Sequence, residues 1–260
     1  MKTLFDLIEY LDSNHHYAQS DEMMKIALDL SGVINEDRKM GNGAYGKFYS
    51  GFGNDEKNKI KNKLGPIHEE IGFKQFSFPD EDFNDNLKET LAFIYIAPYI
   101  SANTDIKTPV YRGEISLSGI IANNIIPTQY MPGITLADAY RNMLPLIGVF
   151  ATHKLEAATF NAIEEKLSSI GVQWNDLSSY NIKIDTKIID ECIKKHQEGT
   201  LDVRVDNLSK GAALFDFGHF KVEKSTPAGQ NLQKLQESLN RINNNTLVNA
   251  LKSAIQNILM

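Results

Sequence analysis

Apolar residues recur at helical spacing in several long segments of the chain. The longest such pattern covers 135–170, where Phe160, Ile163, Leu167 and Ile170 share one face and Gly171 ends the helix. In the segment 84–100 the predicted inner face consists of Leu87, Leu91, Ile94 and Ile96. Similar patterns predict further helices over 2–12, 21–31, 186–198, 231–242 and 246–259.

Strand-like runs are concentrated in the first half of the chain. Alternating polarity and aromatic or β-branched content predict strands over 71–78, 108–117 and 121–130. The glycine-rich segment 41–49 has the texture of a β-hairpin. We therefore predict an α+β fold, in which a strand-rich first half is followed by a helix-rich second half.

The composition is that of an ordinary globular protein. The chain has 260 residues, of which 42% are hydrophobic, with 17 Gly and 8 Pro, so it can form one unit of two lobes or two small domains. Its single cysteine, Cys192, excludes an internal disulfide framework and a multi-thiolate zinc site. We expect Cys192 to be a buried thiol in a reducing compartment.

Charge and hydropathy exclude two classes of partner. The formal net charge is −6 and no long block of Lys or Arg occurs, so nucleic acid is not an expected partner. No run approaches the roughly 18 apolar residues of a membrane helix, and the N-terminus does not resemble a secretion signal. We expect a cytoplasmic protein without a membrane partner, and delivery into a host cell stays open as an alternative.

A glycine-rich motif introduces the first candidate chemistry. Gly41, Gly43 and Gly46 have the GxGxxG spacing, which lets backbone amides approach phosphate oxygens without a Cβ in the way. A dinucleotide-binding version of this motif needs a helix that begins at the third glycine. The residues that follow, 47–49, instead predict the second strand of a hairpin.

The segment GNGAYGKFYSG resembles the Gly-rich loop of protein kinases, and five more segments resemble other kinase parts in the family's order. This resemblance implies that Gly41, Gly43 and Gly46 cover the phosphates of ATP. It also implies that Lys74 pairs with the α- and β-phosphates and that Glu89 holds this lysine in place.

Residues 125–136 resemble the last strand of the kinase small lobe and the hinge that follows it. In this resemblance Thr128 occupies the gatekeeper position, and Gln129 and Met131 offer backbone groups to adenine. Hinge recognition uses main-chain hydrogen bonds, so the identity of these side chains carries little information.

The segment 172–184 resembles the kinase catalytic loop, in which an Asp accepts the proton of the attacking hydroxyl and an Asn five residues later binds magnesium. Asp176 and Asn181 have this spacing. Asp216, in the sequence LFDFG, resembles the metal-binding Asp-Phe-Gly. The resemblance thus implies ATP and Mg²⁺ as cofactors, with Asn181 and Asp216 as metal ligands.

Several features depart from ordinary kinases. Trp174-Asn175-Asp176 stands in place of His-Arg-Asp, and Ser178 stands where Ser/Thr kinases carry a lysine, a pattern similar to RIO-type atypical kinases. Asp216 follows Asp176 by 40 residues, which implies an insertion near 185–210. The chain lacks an Ala-Pro-Glu motif and the full large lobe. Bacterial effector kinases and phage-encoded kinases show similar reductions of the large lobe.

The resemblance implies a bilobal protein-kinase-like fold with a β-rich N-lobe and a reduced helical C-lobe. We expect a helical extension over 1–35, the N-lobe over 36–131 and the C-lobe over 132–260. The implied function is that of an ATP- and Mg²⁺-dependent Ser/Thr protein kinase that acts on a protein substrate, on itself or on a host protein.

Two alternatives remain open at this stage. One is a small-molecule kinase of the aminoglycoside or choline type, for which Asp185, Asp190 and Glu191 are the nearby acidic candidates for a cationic acceptor. The other is a kinase-fold adenylyltransferase or a nucleotide-binding regulator. The functions of a zinc hydrolase or a serine hydrolase have little support, because the chain contains neither an HExxH nor a GxSxG motif.

Overall fold

The structure is a computed structural model that describes residues 39–43, 46–50, 71–76, 83–109, 125–129, 131, 133–242 and 246–260. The predicted helices over 2–12 and 21–31 lie outside these residues. The described chain is a mixed α+β protein with two compact units. The first unit includes the chain up to Leu91, Val110–Tyr130 and Asn231–Asn257, and the second comprises Ala92–Pro109, Met131–Gln230 and Ile258–Met260.

The first unit contains a four-stranded antiparallel sheet. Its strands are β1 (Lys39–Gly43), β2 (Gly46–Ser50), β3 (Ile71–Phe76) and β4 (Ile125–Gln129), in the order β1-β2-β3-β4. Gly43 pairs with Gly46, so the glycine-rich motif forms the predicted hairpin and no helix begins at the third glycine. The remainder of the predicted strands over 108–117 and 121–130 falls largely at 110–124, outside the described residues.

The segment predicted as one helix over 84–100 forms two, α1 (Phe83–Tyr95) and α2 (Ala97–Asn103). The break lies just before Pro98, which has no N–H to donate to the carbonyl four residues earlier. Leu87, Leu91 and Ile96 are buried as predicted, whereas Ile94 is only half-buried.

The longest element of the second unit is α3 (Leu136–Ser169), which confirms the helix predicted over 135–170. Thr135 caps its start, because the Thr135 side chain accepts a hydrogen bond from the Asp138 amide. A kink interrupts the helix at Gly148, whose φ of 80° is left-handed, three residues after Pro145. Around the kink Leu146, Val149 and Phe150 are exposed.

Two small antiparallel sheets complete the framework of the second unit. One has the order β5 (Ile134–Thr135), β7 (Ile182–Ile184), β8 (Ala212–Leu214), and the other pairs β6 (Val172–Trp174) with β9 (Phe220–Val222). In β7 the branched side chains of Ile182 and Ile184 are buried, which suits a short strand in the core.

The segment between β7 and β8 contains α4 (Thr186–Gln197) and a 3₁₀ turn, Leu208–Gly211. Asp185 caps α4 by accepting a hydrogen bond from the Lys187 amide. Cys192 faces inward from this helix, as predicted, and burial raises the pKa of its thiol to about 11. Lys195 joins the helix to Asp206 through an ion pair of 2.6 Å.

The tail forms the two predicted helices, α5 (Pro227–Asn240) and α6 (Thr246–Ile258). Beyond α6 the Met260 amide donates to the Val222 carbonyl at 3.0 Å, which fastens the last residues to β9 in the second unit. In the part of the chain that the structure describes, none of the helices combines the length and the apolar character needed to cross a membrane.

Candidate active site

The loop between β6 and β7 brings two of the predicted site residues into contact. The Asn181 side-chain amide donates a hydrogen bond to an Asp176 carboxylate oxygen, with 3.3 Å between nitrogen and oxygen. A turn shapes the loop, since the Asn181 backbone amide donates to the Ser178 carbonyl at 3.0 Å. Asp176 is exposed and Asn181 half-exposed, so both side chains are accessible to a substrate.

Strand pairing places Asp216 beside this loop. Ile182 pairs with Leu214, and one residue further the Phe215 amide donates to the Asn181 carbonyl at 3.3 Å. Asp216 follows directly, and its carboxylate accepts a hydrogen bond from the Gly218 amide at 3.2 Å. The β7–β8 register therefore brings the ends of the two predicted metal-ligand segments together.

A chain of aromatic rings packs next to the segments that carry Asp176 and Asp216. Phe93 of α1 contacts Phe217 edge-to-face, with 5.8 Å between ring centroids. Phe217 stacks on Phe220 at 4.9 Å, and Phe220 stacks on Trp174 at 5.0 Å. Aromatic pairs in these arrangements stabilise a fold by more than the burial of their apolar area alone would. Because Phe217 follows Asp216 and Trp174 lies two residues before Asp176, the chain of rings links the two segments that carry these carboxylates.

This role of Trp174 and Phe220 was not predicted. In the resemblance to kinases, Trp174 is the residue that replaces the usual histidine. The local sequence pattern that indicates both residues is the alternation of apolar and polar residues in β6 and β9, in which Trp174 and Phe220 are apolar and their side chains are buried.

The donor set of the loop fits a magnesium ion in its chemistry. Asn181 and Asp216 offer an amide oxygen and carboxylate oxygens, and Mg²⁺ is usually held by one or two such side chains with phosphates and water as the other ligands. Within the described residues no group of three or more His, Cys, Asp or Glu side chains converges on a metal site. A dedicated all-protein cage is therefore not the kind of site that these residues could form.

Lys183 contacts the predicted hinge, which the sequence did not indicate. Its ammonium donates a hydrogen bond to the Met131 carbonyl, with 2.9 Å between nitrogen and oxygen. Burial lowers the pKa of Lys183, because the charged form loses hydration among buried neighbours. The only local sign of this position is a lysine between the buried residues Ile182 and Ile184.

The remaining predicted residues lie in the first unit. Gly41 and Gly43 belong to β1, Gly46 to β2 and Gln129 to the end of β4. Lys74 is central in the sheet, where it pairs with Phe48 on β2 and Ile126 on β4. Glu89 lies on α1 and is 6% exposed, and it has an interaction partner, as buried carboxylates usually do.

Comparison of the sequence with known proteins assigns no family to this chain. No model of a known protein family matches the sequence, and no curated protein matches it either. Function is therefore inferred from the residues themselves and from where the chain places them.

Proposed function

We propose that this protein is an atypical kinase with a bilobal protein-kinase-like fold, which transfers the terminal phosphate of ATP to a Ser or Thr hydroxyl of a protein. The observation that carries the proposal is the contact of Asp176 with Asn181 beside the segment of Asp216. Asp216 lies 40 positions after Asp176 in the sequence, and the three residues have the types and order that phosphoryl transfer requires. The proposed place of action is the cytoplasm.

In the proposed reaction Asp176 orients the acceptor hydroxyl and accepts its proton. The hydroxyl oxygen forms a bond to the γ-phosphorus while the bond from that phosphorus to the β,γ-bridging oxygen breaks, and ADP leaves with the electron pair. Asp176 suits this role because it is exposed and its carboxylate is aligned by the amide of Asn181.

Asn181 and Asp216 would hold Mg²⁺, which when bound neutralises negative charge on the phosphates. The Gly218 amide fixes one Asp216 oxygen and leaves the other carboxylate oxygen available as a ligand. In the first unit, the hairpin of Gly43 and Gly46 supports phosphate binding through backbone amides, and Lys74 with the buried Glu89 supports the implied lysine–carboxylate pair.

The contacts of the acidic candidate residues favour a protein acceptor over a cationic small molecule. Asp185 is engaged as the cap of α4, and Glu191 pairs with Lys195 at 3.2 Å. A pocket for an aminoglycoside or choline would need these carboxylates to converge, unpaired, on one site. The contacts of Asp185 and Glu191 therefore count against this alternative, which leaves Asp190, exposed on α4, as the remaining acidic candidate.

The test is incubation of the purified protein with γ-labelled ATP, Mg²⁺ and a cell lysate, beside Asp176→Ala and Asp216→Ala variants. We expect label on a lysate protein or on the chain itself, and its loss in both variants. Circular dichroism checks that the variants stay folded, and Glu164→Ala, which removes an exposed carboxylate of α3, is the control.

Other outcomes distinguish the alternatives. Label that appears only on small molecules would support the small-molecule kinase. Incorporation from α-labelled but not γ-labelled ATP would support adenylyl transfer. Wild-type transfer in both Asp variants would contradict the assignment of the site.

A further inference from the structure

An exposed arginine and tyrosine meet beside the Asp176–Asn181 loop. Arg141, on the first part of α3, donates from Nη2 to the hydroxyl of Tyr180 at 3.1 Å. Tyr180 directly precedes Asn181 in the loop. The Arg141 side chain is 62% exposed and Tyr180 is 59% exposed, so both face solvent next to the proposed site of transfer.

The guanidinium is held from two sides. Its Nη1 donates to an Asp138 carboxylate oxygen at 2.8 Å. Asp138 is fixed in turn, because its backbone amide donates to the Thr135 hydroxyl at 3.1 Å and that hydroxyl donates back to the carboxylate at 2.7 Å. The start of α3 is also tied to the loop, since the Ala137 amide donates to the Ser179 carbonyl at 3.1 Å. Arg141 is therefore oriented relative to the loop.

These contacts leave much of the guanidinium available. An arginine carries five N–H donors, of which the contacts to Asp138 and Tyr180 use two. The remaining donors are in the planar arrangement that binds a carboxylate through two hydrogen bonds. An exposed ion pair such as Arg141–Asp138 contributes little to stability, so a purely structural role explains the arrangement poorly.

We propose that Arg141 and Tyr180 select the acceptor, and that the acceptor is an acidic peptide with a carboxylate close to the hydroxyl that is phosphorylated. This inference rests on the proposed function. Arg141 binds the carboxylate, and the exposed ring of Tyr180 packs against the peptide. The same positive charge repels acceptors with a Lys or Arg at that position.

The test uses synthetic peptides with a single serine flanked on both sides by aspartate, asparagine or lysine. For the wild-type protein we expect kcat/KM to be about tenfold higher with the aspartate peptide than with the asparagine peptide, the size of effect expected for one charge-assisted contact. The lysine peptide should be the poorest acceptor. The difference should appear in the KM for the peptide.

Charge reversal separates selection from a structural role. Arg141→Glu should invert the order, so that the lysine peptide becomes the best acceptor, an outcome that a damaged fold cannot produce. Arg141→Lys should keep the order with a smaller ratio, because the charge stays and the bidentate geometry is lost. The control, Arg204→Glu, reverses an exposed arginine on the segment after α4 and should keep the wild-type order.

Two negative results have different meanings. If the wild-type protein phosphorylates all three peptides with equal kcat/KM, or if Arg141→Glu keeps the wild-type order, the selecting role is wrong and the phosphotransferase stands. If the wild-type protein transfers no phosphate from ATP to any peptide or to any lysate protein, both proposals are wrong.

Discussion

The backbone amide of Phe215 donates a hydrogen bond to the carbonyl oxygen of Asn181, with 3.3 Å between nitrogen and oxygen. This bond extends the pairing of β7 with β8 by one residue beyond Ile182 and Leu214. Backbone pairing, and not side-chain contact, thus brings Asn181 next to the segment of Asp216. Substitution of either side chain should therefore leave the loops in place.

We first predict that Asp216→Asn weakens Mg²⁺-dependent binding of a fluorescent ATP analogue. Loss of one ligand charge should lower the affinity about 10- to 100-fold, by analogy with the effect of removing other partners in metal sites. The new amide oxygen can still accept from the Gly218 amide, so the fold should stay intact. Asp190→Asn is the matched control. Equal affinities of wild type and Asp216→Asn with Mg²⁺, or unchanged affinity after EDTA, would contradict the metal site.

The aromatic chain leads to a prediction about stability. Phe220 is 2% exposed between Trp174 and Phe217, so Phe220→Ala should lower the free energy of unfolding by about 3–5 kcal/mol. The control is Phe150, which is 74% exposed near the kink of α3. Phe150→Ala should change the free energy of unfolding by no more than about 1 kcal/mol. Urea unfolding followed by fluorescence of the single tryptophan, Trp174, measures both. Equal losses would mean that the aromatic chain does not hold the second unit.

The sequence predicted the elements whose signals are local. The hairpin of Gly43 and Gly46 follows from glycine spacing and flanking residues, and α3 follows from its apolar period. Asp176 and Asn181 are predicted together because the segment that contains them resembles the kinase catalytic loop and the two residues have its spacing. These features depend on residues that are close together in the sequence, and a local sequence pattern contains information about such residues only.

Features that depend on long-range contacts or on single backbone angles were not predicted. Arg141 and Tyr180 are 39 residues apart, and nothing near either one indicates the hydrogen bond between them. The kink of α3 arises from one left-handed angle at Gly148, while the apolar pattern continues through it. The sequence accordingly predicted an unbroken helix there, with no sign that Phe150 would be exposed.

Gly133, in the Pro-Gly step after the predicted hinge, supports a second stability prediction. Its φ is 116°, and a Cβ added there would lie 2.4 Å from the Ile184 carbonyl oxygen in β7. Backbone cannot move aside as a flexible side chain can, so Gly133→Ala should cost about 3 kcal/mol or more.

Gly199, which follows α4, is the matched control for Gly133. It also has a left-handed φ, 71°, but a Cβ there would meet nothing within 4 Å. Gly199→Ala should therefore cost only the conformational strain, about 1–2 kcal/mol. Urea unfolding monitored by Trp174 fluorescence compares the two variants, and equal costs would mean that the backbone near β7 accommodates the added methyl group.

The half-buried Lys183 makes the free energy of unfolding depend on pH in the alkaline range. Its pKa in the folded protein is lowered by burial from the ordinary 10.5. Between the lowered pKa and 10.5 the unfolded chain binds this proton and the folded chain does not. The free energy of unfolding contributed by this group therefore rises with pH across that window, and below the window the cost of the buried charge is fully present.

Lys183→Met removes the charge and so should remove this contribution. We expect the difference in unfolding free energy, wild type minus Lys183→Met, to become more favourable to the wild type as pH rises through the lowered pKa of Lys183 toward 10.5. Lys187→Met, which removes an exposed lysine on α4, should give a curve parallel to that of the wild type. Because other groups titrate equally in all three proteins, the difference isolates Lys183. Parallel curves for wild type and Lys183→Met would show that its ammonium loses no hydration on folding, and that the contact with Met131 lies open to water.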